Sequence, residues 1–309
     1  MQNVIEVVIT FLALMITGFL LAKFDILDEK TSRKLTMIVL RVIVPSAMLN
    51  NIFSHFTVES LAEAGWSLLA PILIVVASNV AAQLCAMLFK VPKDKRGVFC
   101  AVFAMCNTIF VGLPVNQALF GEASSMPALF FFMGNTIVFW TYSVWRIRRD
   151  GGSRGRLFSM ESLKNLLSPS LVMLVACLAL LFLRVKPPHV LISTARTLGS
   201  PGTPLAMIIT GGTIYRGIAH GAWKNKQAIP AMLGRLIISP LAALLVTGAM
   251  GVGFEMQRAY VTQAAMPVMS QVTIVAQAYG ADDELASSCT LLSMIALLGV
   301  VPLLALIFT

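Results

Sequence analysis

The sequence predicts an all-α integral membrane protein of ten transmembrane helices, arranged as two inverted five-helix repeats, with broken, crossing helices at spans four and nine. Three observations carry that expectation. Hydrophobic residues fill 58% of the 309 positions, only 12% are charged, and the mean hydropathy is +0.85. Short matches recur at one fixed offset, and polar and helix-breaking residues interrupt two otherwise apolar segments.

The first observation sets the solvent, because a soluble domain carries about a quarter charged residues. A span takes about 20 apolar residues and, with its connection, roughly 30, which leaves room for about ten. Apolar runs between charged and Gly/Pro-rich breaks place them near 3–22, 34–53, 61–89, 97–119, 125–146, 164–184, 190–215, 227–250, 258–279 and 285–308. The first run, VIEVVITFLALMITGFLLA, is too long and too poorly flanked by basic residues for a signal peptide, and has no small-residue cleavage site. It is read as span one.

Charge then orients the chain. Lys23, Lys30, Arg33 and Lys34 follow span one, and Lys90, Lys93, Lys95 and Arg96 follow span three. Arg146, Arg148, Arg149, Arg154, Arg156 and Lys164 bound the loop after span five, and Arg216, Lys224 and Lys226 follow span seven. All these loops fall on one side, so the positive-inside rule puts both termini on the non-cytoplasmic side of a plasma (inner) membrane. The net charge of +9 is therefore read as cytoplasmic loop charge, with the lipid bilayer as partner and no nucleic acid. Cysteines 85, 100, 106, 177 and 289 lie in apolar runs without CxxC or metal-ligand spacing. Histidines 55, 189 and 220 sit at loop ends and form no catalytic or metal cluster. No cofactor or metal is expected.

The second observation is a duplication. PSAM at Pro45–Met48 recurs as PLAM at Pro204–Met207, and FG at 120–121 recurs as YG at 279–280, both 159 residues on. Residues 1–147 are then the first five-span repeat, 148–163 a short cytoplasmic loop and 164–309 the second repeat. Five is odd, so the second copy enters the membrane from the opposite side, as in many secondary transporters.

The third observation is the stretch CNTIFVGLPVNQALFG, from Cys106 to Gly121, inside span four. Pro114 lacks a backbone N–H and Gly112 adds freedom, so the span is expected to unwind around them, with Asn107 and Thr108 before the break and Asn116 and Gln117 after it. Backbone groups freed in lipid need partners, and these polar side chains are suited to supply them. Span nine holds a looser counterpart, QAAMPVMSQVTIVAQAYG, with Pro267, Ser270, Gln271 and Thr273. The offset sets Gly112 against Gln271 and Pro114 against Thr273. Two interrupted helices meeting at mid-membrane bring partial positive charge at their N-termini, which suits an anion.

These residues resemble the auxin efflux carrier family, which includes plant auxin exporters and bacterial malonate or malate permeases. NTIFVGLP at 107–114, MPVMSQVTIVAQAYG at 266–280 and the two-times-five layout carry the resemblance. It implies a carboxylate site at the crossing of spans four and nine, roles there for Asn107, Thr108, Gly112 and Pro114, and a scaffold of spans one, two, six and seven that often supports a homodimer. The short connection between the halves favours the bacterial permease branch.

Arg235, near the middle of span eight, costs about 2.5–3.5 kcal/mol there on the insertion scale and needs a partner. Attraction of an acidic substrate and pairing with a carbonyl both remain open for it. Asn79, Gln83, Asn135 and Gln263 are expected to face the bundle interior, as helix glue or as substrate ligands. No acidic residue lies near the middle of any span, so a carboxylate proton relay is unsupported, and no HExxH helix, intramembrane Asp pair or Ser-His arrangement points to an enzyme. The expected function is a secondary transporter of small organic anions, such as dicarboxylates, working by alternating access. A passive anion pore or a membrane receptor for an organic acid is the alternative.

Overall fold

The computed structural model describes residues 2–308 apart from 56, 60–61, 63–64, 153–168, 220, 222–224 and 226. Most of the connection expected at 148–163 and the start of expected span six thus lie outside the described residues, with Arg154, Arg156, Lys164, His220, Lys224 and Lys226. Among the described residues every regular element is a helix, and one isolated bridge is the only β pairing.

The elements are α1 (Gln2–Lys23), α2 (Glu29–Ile38), α3 (Val44–His55), α4 (Ala70–Leu88), α5 (Arg96–Ala104), α6 (Leu113–Phe120), α7 (Ser125–Val138) and α8 (Val144–Asp150). They continue with α9 (Pro169–Phe182), α10 (His189–Gly199), α11 (Gly202–Ala219), α12 (Ala228–Leu233), α13 (Ser239–Ala249), α14 (Phe254–Ala264), α15 (Gln271–Ala278) and α16 (Asp283–Phe308). Joined where one runs into the next, five among the described residues are long and apolar enough to cross a membrane: Glu29–Ser54, Gly65–Leu88, Glu122–Asp150, Ala228–Ala249 and Asp283–Phe308. Shorter apolar helices cover Leu12–Lys23 and Thr108–Phe120.

The helix faces are inverted relative to a soluble protein. On α4 the exposed stripe is Leu73, Val76, Val80 and Leu84, while the buried face carries Ser78, Asn79 and Ala82. Across α12 and α13 the exposed residues are Ile229, Leu233, Ile237 and Leu241, and the buried ones include Ala231, Arg235, Ser239 and Thr247. Large apolar side chains outside and small or polar ones inside suit lipid, where burying apolar surface gives no drive to associate and close packing does.

Among the described residues four π-helical turns interrupt the helices, at Val39–Ile43, Thr108–Gly112, Phe139–Ser143 and Gly234–Ile238. Three of them end two residues before a proline, Pro45, Pro114 or Pro240. A proline ring clashes with the carbonyl four residues back. Shifting the hydrogen bonds to five residues back, as in Gly112 N–H to Asn107 O and Leu113 N–H to Thr108 O, lets the chain stay helical.

This corrects one expectation. Residues 108–120 do not unwind around Gly112 and Pro114; they run from the π turn directly into α6. The helix instead stops earlier, at Ala104, where Met105 adopts an extended backbone with ψ 121°.

The helix α1 packs along α11. The contact is tight because Gly18 sits on the Ile208 carbonyl and Gly211 on the Met15 carbonyl, where a Cβ would overlap the opposing backbone. Gly211→Leu is therefore expected to force the two helices apart and to destabilise the protein by about 1–3 kcal/mol or more, read as a lower melting temperature in detergent. All five cysteines are free thiols. At one end of the bundle Lys95 Nζ lies 2.8 Å from Asp282 Oδ2, tying the loop before α5 to the loop before α16. The bond to Asp282 holds the lysine ammonium above its ordinary pKa.

Candidate functional site

Two non-helical stretches meet inside the bundle. Asn107 N–H donates to Pro267 O at 2.8 Å and Met269 N–H donates to Met105 O at 3.1 Å, so that Cys106 and Val268 form an antiparallel bridge. The helices that precede them, α5 and α14, end at Ala104 and Ala264, and the helical chain resumes at Thr108 and Gln271. Met105, Cys106, Met266 and Val268 are buried, so every backbone polar group here needs a partner inside the protein.

Neighbouring helices supply them. Asn135 on α7, fully buried, accepts from Cys106 N–H at 3.3 Å and donates to Cys106 O at 3.1 Å. On the other side Val268 N–H donates to Ser293 Oγ on α16 at 3.0 Å. Asn107 Oδ1 accepts from Phe110 N–H at 3.2 Å and caps the new helix start.

Arg235 lies at the ends of the two preceding helices. Its side chain is 0% exposed, and Nη1 donates to Phe103 O at 3.0 Å while Nη2 donates to Ala264 O. Ser239 Oγ joins Phe103 O at 3.1 Å. A guanidinium with its five fixed donors suits two carbonyls at once, and its charge opposes the partial negative charge of two helix C-termini. Carbonyl pairing is thus the geometry found for Arg235.

Gln263 is fully buried and packs on Gly112, where a Cβ would overlap its carboxamide. Its Nε2 reaches Thr108 O at 3.4 Å. Asn116 Nδ2 donates to Gly112 O at 2.9 Å. The amide nitrogens are thereby turned to backbone carbonyls. Gln263 Oε1 and Asn116 Oδ1 are buried without a donor among the described residues. The unpartnered buried side-chain atoms beside Gly112 are therefore acceptors. Gly112→Val is expected to displace Gln263 from Thr108, with a melting temperature lowered by the equivalent of about 1–3 kcal/mol.

The structure brings Asn107, Thr108, Gly112 and Pro267 together at this crossing. Ser270 is exposed, Gln271 begins α15, and Thr273 Oγ1 lies 3.2 Å from Thr290 Oγ1. Pro114 lines a cavity of about 490 Å³ between α2–α3, the segment Ile109–Glu122, and α10–α11. Ser293, Arg196, Glu122 and Asn50 were not singled out by the sequence, although Ser293 lies 158 residues after Asn135, close to the repeat offset. Arg196 and Asn50 left no such signal, because a charge or amide near a helix end reads as solvated.

A family model described as membrane transport protein matches residues 3–305. An uncharacterized transporter of Methanothermobacter thermautotrophicus is 25% identical over 306 residues, covering 96% of each chain. One of Methanocaldococcus jannaschii, also an uncharacterized transporter, is 23% identical over 291 residues, covering 92% of each. With a bundle of apolar helices and a family match over nearly its whole length, this multi-pass membrane chain belongs to the membrane transport protein family of auxin efflux carriers.

Proposed function

We propose that the protein is a secondary transporter that moves small organic anions by alternating access across the plasma (inner) membrane. The observation that carries this reading is the antiparallel meeting of 105–107 and 267–269, with a fresh helix start beyond each. Discontinuous helices crossing in this way place N-terminal partial charge where a solute binds. The ten-span layout, with repeats at 1–147 and 164–309 joined through 148–163, belongs to the same reading. In its support, Asn135 and Ser293 serve the two sides of the crossing from positions 158 residues apart. Both termini then lie on the non-cytoplasmic side, and spans one, two, six and seven form a scaffold that pairs two copies.

Asn107, Thr108, Gly112 and Pro114, with Pro267, Ser270, Gln271 and Thr273, form the substrate region of this reading. Arg235 acts by holding the helix ends beneath it. The test is exchange in vesicles loaded with one carboxylate and exposed to a trace of another. Uphill accumulation driven by the counter-gradient is expected; flux only down each gradient favours a passive pore, and binding without flux a receptor. Asn107→Ala is expected to raise the half-saturating substrate concentration about tenfold, since losing one hydrogen bond to a charged ligand is worth about 1.5–3 kcal/mol. Unchanged kinetics in that variant would remove Asn107 from the site.

A further inference from the structure

Arg41 stands inside an apolar span and faces away from the bundle. It is the thirteenth of the 26 residues of Glu29–Ser54 and lies in the π turn Val39–Ile43. Val39 and Ile43, two residues to either side and about half a turn away, are buried, whereas Arg41 is exposed. It makes no hydrogen bond or ion pair among the described residues. The six residues that open the helix, EKTSRK, are polar, so its apolar part begins at Leu35 and Arg41 lies six residues, about 9 Å, further in. Helical side chains lean toward the N-terminus, which carries the guanidinium back to that boundary.

Lys34, Met37, Ile38 and Arg41 follow one another at helical spacing on one face, and all are exposed. The stripe has a cation at each end and apolar side chains between. The acids nearest in sequence are already engaged: Glu29 pairs with Arg33, and Asp28 Oδ1 accepts from Thr31 N–H at 2.7 Å.

We propose that Lys34 and Arg41 bind the phosphate of an anionic phospholipid, with its acyl chains along Met37, Ile38 and Val42. The assignment does not depend on what the protein transports. An arginine in a span is costly unless it is paired, and a guanidinium matches phosphate in bidentate fashion. Phosphate is the innermost anionic group of a bilayer lipid, so it is the one that meets an arginine reaching out from the apolar side. With Lys34 adding a second charge, a headgroup that keeps its negative charge is favoured over one neutralised by its own ammonium. A second copy of the chain fits this stripe less well. No acidic residue lies near the middle of any span, and a twofold contact centred on the stripe would set Arg41 against its own copy.

The purified protein in detergent is titrated with phosphatidylglycerol or with phosphatidylcholine of the same acyl chains. Bound lipid is counted by native mass spectrometry, alongside the melting temperature. Phosphatidylglycerol is expected to bind about tenfold tighter. Arg41→Gln is expected to weaken its binding about tenfold, and Lys34→Gln about fivefold. Arg41→Lys should lose less than Arg41→Gln, because an ammonium still pairs phosphate as a point charge. Lys90→Gln removes an exposed cation from the loop after α4 and is expected to change little. Lys34 and Arg41 are both exposed, so without lipid the variants should melt with the wild type. Equal binding of the two lipids, or a loss in Lys90→Gln equal to that in Arg41→Gln, overturns the assignment. An equal rise in melting temperature with inorganic phosphate also overturns it, by giving the site to a soluble anion. So does a dimer in lipid-free detergent that Arg41→Gln splits, which gives the stripe to a second copy.

Discussion

Arg235→Gln is expected to destabilise the purified protein by about 1–5 kcal/mol, because two buried helix ends lose their cation. The guanidinium spans Phe103 O and Ala264 O, the carbonyl ends of α5 and α14. Phe103 O keeps Ser239 Oγ as a donor, but Ala264 O loses its side-chain partner in a fully buried place. An unsatisfied buried acceptor costs about 1–3 kcal/mol, and the loss of positive charge at two helix C-termini adds up to about 2. Arg235→Lys keeps the charge but cannot fork between two acceptors, so it should fall between wild type and Gln. Denaturant unfolding in detergent measures all three. A loss below about 1 kcal/mol for Gln, with substrate affinity reduced instead, would move Arg235 from holding helix ends to binding the solute.

The second large effect belongs to Asn135. Replacing it with Leu removes both the acceptor for Cys106 N–H and a donor to Cys106 O, at a cost of about 2–4 kcal/mol for a buried backbone unit without water. Ser293→Ala removes the acceptor for Val268 N–H and should cost about 1–2 kcal/mol. Because Cys106 and Val268 are bridged, the double variant should lose less than the sum, with a coupling of about 0.5–1 kcal/mol or more. Additive losses would show the two supports to be independent and would weaken the paired role given to the two non-helical stretches.

Much of this architecture was legible in the residues. The apolar runs marked the long helices because composition alone decides whether a segment can sit in lipid, and the observed ends Glu122–Asp150 and Ala228–Ala249 lie within a few residues of the expected 125–146 and 227–250. A polar residue and a helix breaker in apolar runs marked Asn107 and Pro267. Pro114 and Gly112 looked like the break, yet a π turn absorbs the missing N–H two residues earlier, and the interruption falls at Met105–Asn107, which carries no breaker at all.

The sequence fixes no partner for Cys106, Val268 or Arg235, since a hydrogen bond between residues 29 to 162 positions apart has no local signature. Hydropathy and spacing belong to single segments and can be read along one strand of chain, and they were enough to establish a multi-pass membrane protein. Which carbonyls Arg235 holds and which amide packs on Gly112 are facts about distances between segments. Those distances exist once the helices have packed, because in a dry interior each buried polar group must find whichever neighbour the packing brings within about 3 Å.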